Sequence, residues 1–221
     1  MKKMRNLLAL AIIGSVIFVS CNGDDTTKPV VTLKGASDTT IVLNSTWTDP
    51  GAIAEDDEDG VITDIQVTGT VNVNLTGTYV ITYSATDAAG NTGTKSRTVR
   101  VRNTADVWAG GYKVIDVVGS DTYEYDDVLT ASSIENKFVW VTRFANYKDG
   151  AVEFEFINPD SASTTVILPE QDVTCGTSPY VATRKFIGNG TATSFSKIVI
   201  NYTETVGDES GVTGKETYTK K

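Results

Sequence analysis

Histidine is absent from the 221 residues. That absence removes the commonest general base at neutral pH and the commonest transition-metal ligand. Cysteine is nearly absent, with only Cys21 and Cys175. With no histidine to activate it, Cys175 reads as a buried thiol rather than a nucleophile. Basic residues are scarce, 19 against 28 acidic, for a net charge of −9. A chain this acidic is a poor partner for nucleic acid or anionic lipid head groups. Long apolar runs are missing too: the longest, Leu7 to Val19, has about 13 residues, short of the roughly 20 that a spanning helix needs. No G-x-S-x-G, P-loop, zinc-ligand spacing or dinucleotide fingerprint occurs.

What is present begins at the N-terminus. Lys2, Lys3 and Arg5 precede the apolar run, and the small Ser20 precedes Cys21. This is the layout of an export signal. Phe18-Val19-Ser20-Cys21 resembles the lipobox of bacterial lipoproteins, with Phe18 standing where leucine is usual. The resemblance implies that residues 1–20 are removed and that the Cys21 thiol carries a diacylglyceryl group. The membrane is then a partner through that lipid. Each buried methylene contributes about 0.8 kcal/mol, and two or more acyl chains hold stably where one does not. Lipidation would also leave Cys175 with no disulfide partner. Asn22-Gly23-Asp24-Asp25 is similar to the acidic surface-export signal of Bacteroidetes lipoproteins, which implies display on the outer face of the outer membrane. The plainer alternative is a polar tether over residues 21–27. Lys2, Lys3 and Arg5 leave with the signal, so 16 basic residues face 28 acidic ones downstream, a net charge of −12. The remaining length of about 200 residues suffices for two small domains.

The first domain is expected over residues 28–102. Val30-Val31-Thr32-Leu33 and Thr40-Ile41-Val42-Leu43 are short and β-branched. In Gly77 to Thr86, Tyr79, Ile81, Tyr83 and Ala85 share one face, the period of a half-buried antiparallel strand. Asp87-Ala88-Ala89-Gly90-Asn91 supplies a turn, and Thr94 to Val101 returns with Val99 and Val101 inward. Short strands, frequent turns and no helical period indicate a β-sandwich. Thr48-Asp49-Pro50-Gly51-Ala52, Asp56-Asp57-Glu58-Asp59-Gly60-Val61-Ile62-Thr63, Gly77-Thr78-Tyr79 with Tyr83, Asp87-Ala88-Ala89-Gly90-Asn91 and Arg97-Thr98-Val99 follow in order. Together they resemble a bacterial surface-protein immunoglobulin-like domain. That resemblance implies a spacer fold without catalysis. The acidic run Glu55 to Asp59 has two readings: a solvated loop turning at Gly60, or a Ca²⁺ site built from about six to eight oxygens. Its spacing is not that of an EF-hand. Asp49, Asp56, Asp59 and Asp87 are the candidate Ca²⁺ ligands. Trp47 is expected in the core.

The second domain is expected over residues 103–221, opening near Trp108-Ala109-Gly110-Gly111-Tyr112. Strand candidates are Tyr112–Val118, Tyr123–Thr130, Lys137–Phe144, Ala151–Ile157, Thr164–Leu168, Tyr180–Ile187, Lys197–Tyr202 and Thr213–Thr219. Turns are expected at Gly119-Ser120-Asp121, Asn146 to Gly150, Asn158-Pro159-Asp160 and Gly188-Asn189-Gly190. About eight antiparallel strands close into either a barrel or a two-sheet sandwich. The whole chain is therefore all-β. Trp108, Tyr123, Tyr125, Trp140 and Tyr147 read either as core or as a glycan platform, since flat rings stack on the apolar faces of sugars. Trp108, Trp140 and Tyr147 are the candidate ligand-binding residues, Tyr147 because its loop placement favours function over packing.

The complete layout resembles small Bacteroidetes lipoproteins that accompany SusC/SusD-type glycan-uptake machinery in the outer membrane. The resemblance implies a non-catalytic surface lipoprotein. Its second domain would bind a glycan or a protein of the uptake complex. The alternative is a structural or adhesive surface protein with no small ligand. A glycosidase needs two carboxylates about 5–10 Å apart flanking a cleft. Glu153, Glu155, Asp126 and Asp127 are explained by solvated strand faces, so no enzyme is expected.

Overall fold

The computed structural model describes residues 25–221. The expected export signal and the expected lipidation site Cys21 lie outside the described residues. Fifteen strands and one short 3-10 helix make up the described chain, which is all-β. Among the described residues no helix is long and apolar enough to cross a membrane.

The first seven strands form two sheets. β1 (Val30–Leu33), β3 (Ala52–Asp56) and β4 (Gly60–Ile62) make one. β2 (Asp38–Val42), β7 (Thr92–Arg102), β6 (Gly77–Thr86) and β5 (Ile65–Thr68) make the other, in that order. β2 pairs with β7 in parallel and the other pairs are antiparallel. The β6 alternation does what its sequence dictates: Ile81, Tyr83 and Ala85 pack against Val31 and Ala54 of the facing sheet. Trp47 packs on the edge of this cluster. Arg97 of β7 is also buried there. Its guanidinium donates to the carbonyls of Ala36, Lys34 and Gly51 and to the Tyr83 hydroxyl. Tyr83 in turn donates to Asp49. A buried cation is tolerated here because its donors are matched.

Asn103 ends β7 and locks the chain into the next unit. Its side-chain amide donates to the carbonyls of Ser132, Glu135 and Phe138, and its oxygen accepts from the Ala105 and Lys137 amides. The 3-10 helix (Thr104–Trp108) follows. Then come β8 (Gly110–Val118), β9 (Asp121–Ala131), β10 (Phe138–Val141), β11 (Val152–Phe156), β12 (Ser163–Cys175), β13 (Ala182–Thr193), β14 (Lys197–Val206) and β15 (Val212–Lys220). Each pairs antiparallel with its neighbour, and β15 pairs with β8. The result is a closed eight-stranded up-and-down barrel rather than a sandwich. Closure leaves no unpaired edge.

The turn expected at Gly188-Asn189-Gly190 is instead the middle of β13, where Gly190 pairs with Ile200 and Gly188 with Tyr202. A Cβ on Gly190 would fall 1.7 Å from the Val199 carbonyl oxygen, and one on Gly188 2.4 Å from that of Asn201. These glycines therefore permit close approach of β14 rather than reversal of the chain. The actual reversal is at Ser194-Phe195, both with positive φ (55° and 52°). β12 runs seven residues past the expected Leu168, through an irregular pairing between Leu168 and Gln171 that accommodates Pro169.

Candidate functional site

The two ends of the barrel differ in chemistry. At one end the 3-10 helix lies beneath the strands. Its Trp108 is 0% exposed and stacks on Phe156, with ring centroids 5.2 Å apart. The Trp108 indole N–H donates to the Pro159 carbonyl, and the Tyr112 hydroxyl donates to the Trp108 carbonyl. Trp108 is therefore a floor for the barrel, and its expected role as a ligand platform is corrected. Its ring has no free face.

Moving up the barrel, Phe144, Phe154, Phe186 and Tyr202 form an edge-to-face aromatic layer. Beside this layer the interior becomes polar. Strand alternation turns Asp116 inward between Val114 and Val118, and Glu216 inward between Gly214 and Tyr218. Glu216 accepts hydrogen bonds from the Tyr125 and Tyr218 hydroxyls and from the Ala145 amide. Burial still pushes its carboxyl up to about 8. Asp116 is 1% exposed. One oxygen accepts from the Tyr202 hydroxyl at 3.0 Å, and the other has no hydrogen-bond partner. Burial raises its pKa, and the charge of Glu204 adds to the effect, against the Tyr202 hydrogen bond.

Asp116 lines a cavity of about 470 Å³ at the end of the barrel opposite Trp108. Around it stand Tyr123 of β9, Asn146 and Tyr147 of the β10–β11 connection, Arg184 of β13 and Glu204 of β14. Asp121, Glu209 and Ser210 form the rim. Arg184 pairs with Glu204 and lies 4.4 Å over the Tyr147 ring. The Tyr147 hydroxyl donates to Glu204 at 3.0 Å, and burial pushes it up to about 12. The β10–β11 connection is shaped by Ala145 and Asn146, both in the left-handed region (φ 49° and 60°). Asn146 accepts from Arg143, whose guanidinium lies 4.2 Å over the Tyr125 ring. The Nε of Arg143 and of Arg184 are buried without acceptors. Of these residues, Asp116 and Arg184 line the cavity, and each keeps one buried polar atom without a partner.

The three expected ligand-binding aromatics do not converge. Trp108 is the floor. Trp140 points outward from β10, 46% exposed, across from Thr130 and Glu153. Tyr147 alone lies at the mouth, with one ring face covered by Arg184. Cys175 is buried beneath this region. Asp116, Arg184 and Glu204 were not among the expected residues. Their signal was the inward parity they share with Val114, Phe186 and Tyr202.

A larger concavity of about 810 Å³ lies elsewhere, along β8 and β12–β15. Val117, Ile167, Pro169 and Ile187 give it an apolar surface, with Lys215 and Glu170 at its edges. It holds no buried unpaired polar group, so the chemistry favours the mouth.

The expected Ca²⁺ ligands separate into two places. Asp49 is held by Tyr83 and Arg97 and serves the sandwich core. Its role as a Ca²⁺ ligand is corrected, because a guanidinium already answers its charge. Asp59 accepts from the Ala88 amide at 2.6 Å and ties the β3–β4 turn to the β6–β7 turn. Asp56 and Asp87 do come together, joined by Asp25.

Residues 31–101 match the family model of the bacterial surface protein Ig-like domain. This segment is an immunoglobulin-like domain. The barrel lies outside that match. Comparison with curated proteins gives no match. Among solved structures, a lipoprotein of Bacteroides thetaiotaomicron is similar at 18% identity and a TM-score of 0.35, over 87% of this chain and 100% of that one. A Bacteroides fragilis protein assigned to the outer membrane is similar at 16% identity and a TM-score of 0.40, over 76% of this chain and 72% of that one.

Proposed function

We propose that this chain is a non-catalytic lipoprotein of the bacterial cell surface, anchored through Cys21. Its immunoglobulin-like domain is a spacer, and its barrel binds a hydroxyl-rich ligand, a saccharide, at the open mouth. The observation that carries the reading is the cavity at the mouth, with the unpartnered Asp116 oxygen at its base. A sugar presents hydroxyl donors for that oxygen and for Glu204, and acceptors for Asn146 and the Arg184 guanidinium. Tyr123 offers a ring at the rim for an apolar sugar face. A volume of about 470 Å³ falls within the range of small-molecule sites. Service to a glycan-uptake complex of the SusC/SusD type is consistent with such a module.

The test is a glycan screen of the chain lacking residues 1–20, followed by the same screen with Asp116→Asn and with Arg184→Met. Binding by the parent, weakened at least tenfold in both variants while Trp140→Ala binds normally, is the expected result. Binding that is indifferent to both mouth variants would remove the site from the mouth.

A second reading rests on one observation. Asp116, with its raised pKa, and Glu204, held by Arg184, line one cavity, and a pair of carboxylates in unlike environments is what glycoside hydrolysis uses. Release of reducing ends from bound glycans, abolished by Asp116→Asn, would favour that reading over simple binding.

A further inference from the structure

We propose that Asp25, Asp56 and Asp87 form a Ca²⁺ site that clamps the N-terminal tether to the immunoglobulin-like domain. The three carboxylates come from three separate parts of the chain. Asp25 lies in the segment before β1, Asp56 ends β3 and Asp87 follows β6. One oxygen from each lies within 4.8 Å of the others. That spacing suits oxygens around a single ion, since ligands about 2.3–2.6 Å from Ca²⁺ lie no more than twice that distance apart.

The independent observation is an unmet need. Asp56 is 5% exposed and Asp87 8% exposed. Each has one satisfied oxygen. That of Asp56 accepts from the Glu58 and Asp59 amides at 3.0 and 3.1 Å, and that of Asp87 from the Asn91 amide at 2.7 Å. The second oxygen of each is buried with no hydrogen-bond partner. No ion pair among the described residues reaches any of the three carboxylates. Three like charges, two of them buried, repel one another and lack solvation unless a cation answers them. The contrast with Asp49, which has Arg97 beside it, lies within the same domain.

The donors select the ion. All are carboxylate oxygens, with neither imidazole nor thiolate, so a hard cation fits and Zn²⁺ does not. Three protein ligands from separate segments, completed by water, match the tolerant coordination of Ca²⁺ better than the strict octahedron of Mg²⁺. The neighbourhood is arranged for the tether to arrive. The Asn91 side-chain amide donates to the Asp25 carbonyl at 3.1 Å. Gly93 lets the chain pass, since a Cβ there would fall 1.8 Å from the Pro29 carbonyl oxygen. Asp59 holds the two turns together from outside the ion's reach. Asp25 is four positions from Cys21, so a bound ion would shorten the free tether to a few residues.

The experiment is calorimetric titration of CaCl2 and of MgCl2 into the chain lacking residues 1–20, with thermal unfolding alongside. One Ca²⁺ per chain is expected, with a Kd of about 10⁻⁴–10⁻³ M, the range of extracellular modules. The sandwich transition is expected to rise by roughly 6–20 °C in 10 mM Ca²⁺. Asp56→Asn and Asp87→Asn should abolish the response while leaving the ion-free domain as stable as the parent or more so, because each removes repulsion. Asp25→Ala, which leaves the sandwich core untouched, should weaken binding about tenfold. Asp57→Asn in the same turn, exposed and outside the cluster, should change nothing. No heat and no thermal shift up to 10 mM Ca²⁺ would overturn the proposal. So would equal affinity for Mg²⁺, or an unaltered response in Asp25→Ala.

Discussion

The sandwich and the barrel match their buried charge with different partners. The sandwich has a small apolar cluster, and at its centre Arg97 is fully matched by three carbonyls, a hydroxyl and Asp49. Its charge is structural. The barrel has a larger aromatic core, in which Glu216 is matched by Tyr125, Tyr218 and the Ala145 amide while other buried polar groups stay unmatched. Asp116, Arg143, Glu153 and Arg184 each keep a buried polar atom with no partner, and of these Asp116 and Arg184 line the mouth. Matched buried charge contributes to stability, and unmatched buried charge calls for an explanation, which the proposed ligand gives for Asp116 and the proposed Ca²⁺ for Asp56 with Asp87. The sandwich obeys the same rule in its other half, where Asp56 and Asp87 are the unmatched pair.

Removing the matched cation should have the largest effect. Arg97→Ala leaves Asp49 and four acceptors without their donor, and is expected to destabilise the sandwich by about 3–5 kcal/mol. The barrel transition, followed by near-ultraviolet circular dichroism of Trp108 in its buried stack, should not move. A joint loss of both transitions would show that the two units do not answer separately.

Glu216 comes next. Its pKa is raised on folding, so the folded state holds a proton that the unfolded chain releases at lower pH. Barrel stability is then fully present below the ordinary carboxylate value and is lost as pH rises from about 4.5 toward about 8. Asp116 and Glu153, whose carboxyls are also raised by burial, add in the same direction. Glu216→Gln should flatten this slope and stabilise the barrel at pH 8 by a few kcal/mol, read by denaturant unfolding at pH 5 and pH 8. A slope unchanged in the variant would assign the dependence to the other carboxyls.

Gly190→Ala should cost about 1–3 kcal/mol, because its Cβ meets the β14 backbone rather than a yielding side chain. Trp140→Ala should be the mildest, roughly 1 kcal/mol or less by thermal unfolding, since half the ring is already in water.

The strand alternation was legible, and so was the parity that sends Ile81, Tyr83 and Ala85 inward. The same parity runs through Tyr112, Val114, Asp116 and Val118, so the inward aspartate was readable wherever the register was trusted. Closure was not legible, because the pairing of β15 with β8 joins residues about a hundred positions apart and leaves no local trace. Gly188 and Gly190 misled for a physical reason. Glycine serves a reversal and a close approach equally well, and only the neighbouring strand distinguishes them. Ser194-Phe195 turned without the usual residues. Trp108 could be platform or floor until the 3-10 helix placed it. The acidic cluster was half visible: Asp56 and Asp87 sat in turns, but Asp25 belonged to what read as tether.

On the proposed reading, ligand recognition resides at the polar mouth and not on the exposed aromatic wall. The direct measurement is titration of the best saccharide from the screen into three chains: the parent, Asp116→Asn and Trp140→Ala. Affinity is expected to fall at least tenfold in Asp116→Asn and to be unchanged in Trp140→Ala. The reverse pattern, with Asp116→Asn binding normally and Trp140→Ala failing, would contradict it and move the site to the outer face of β10.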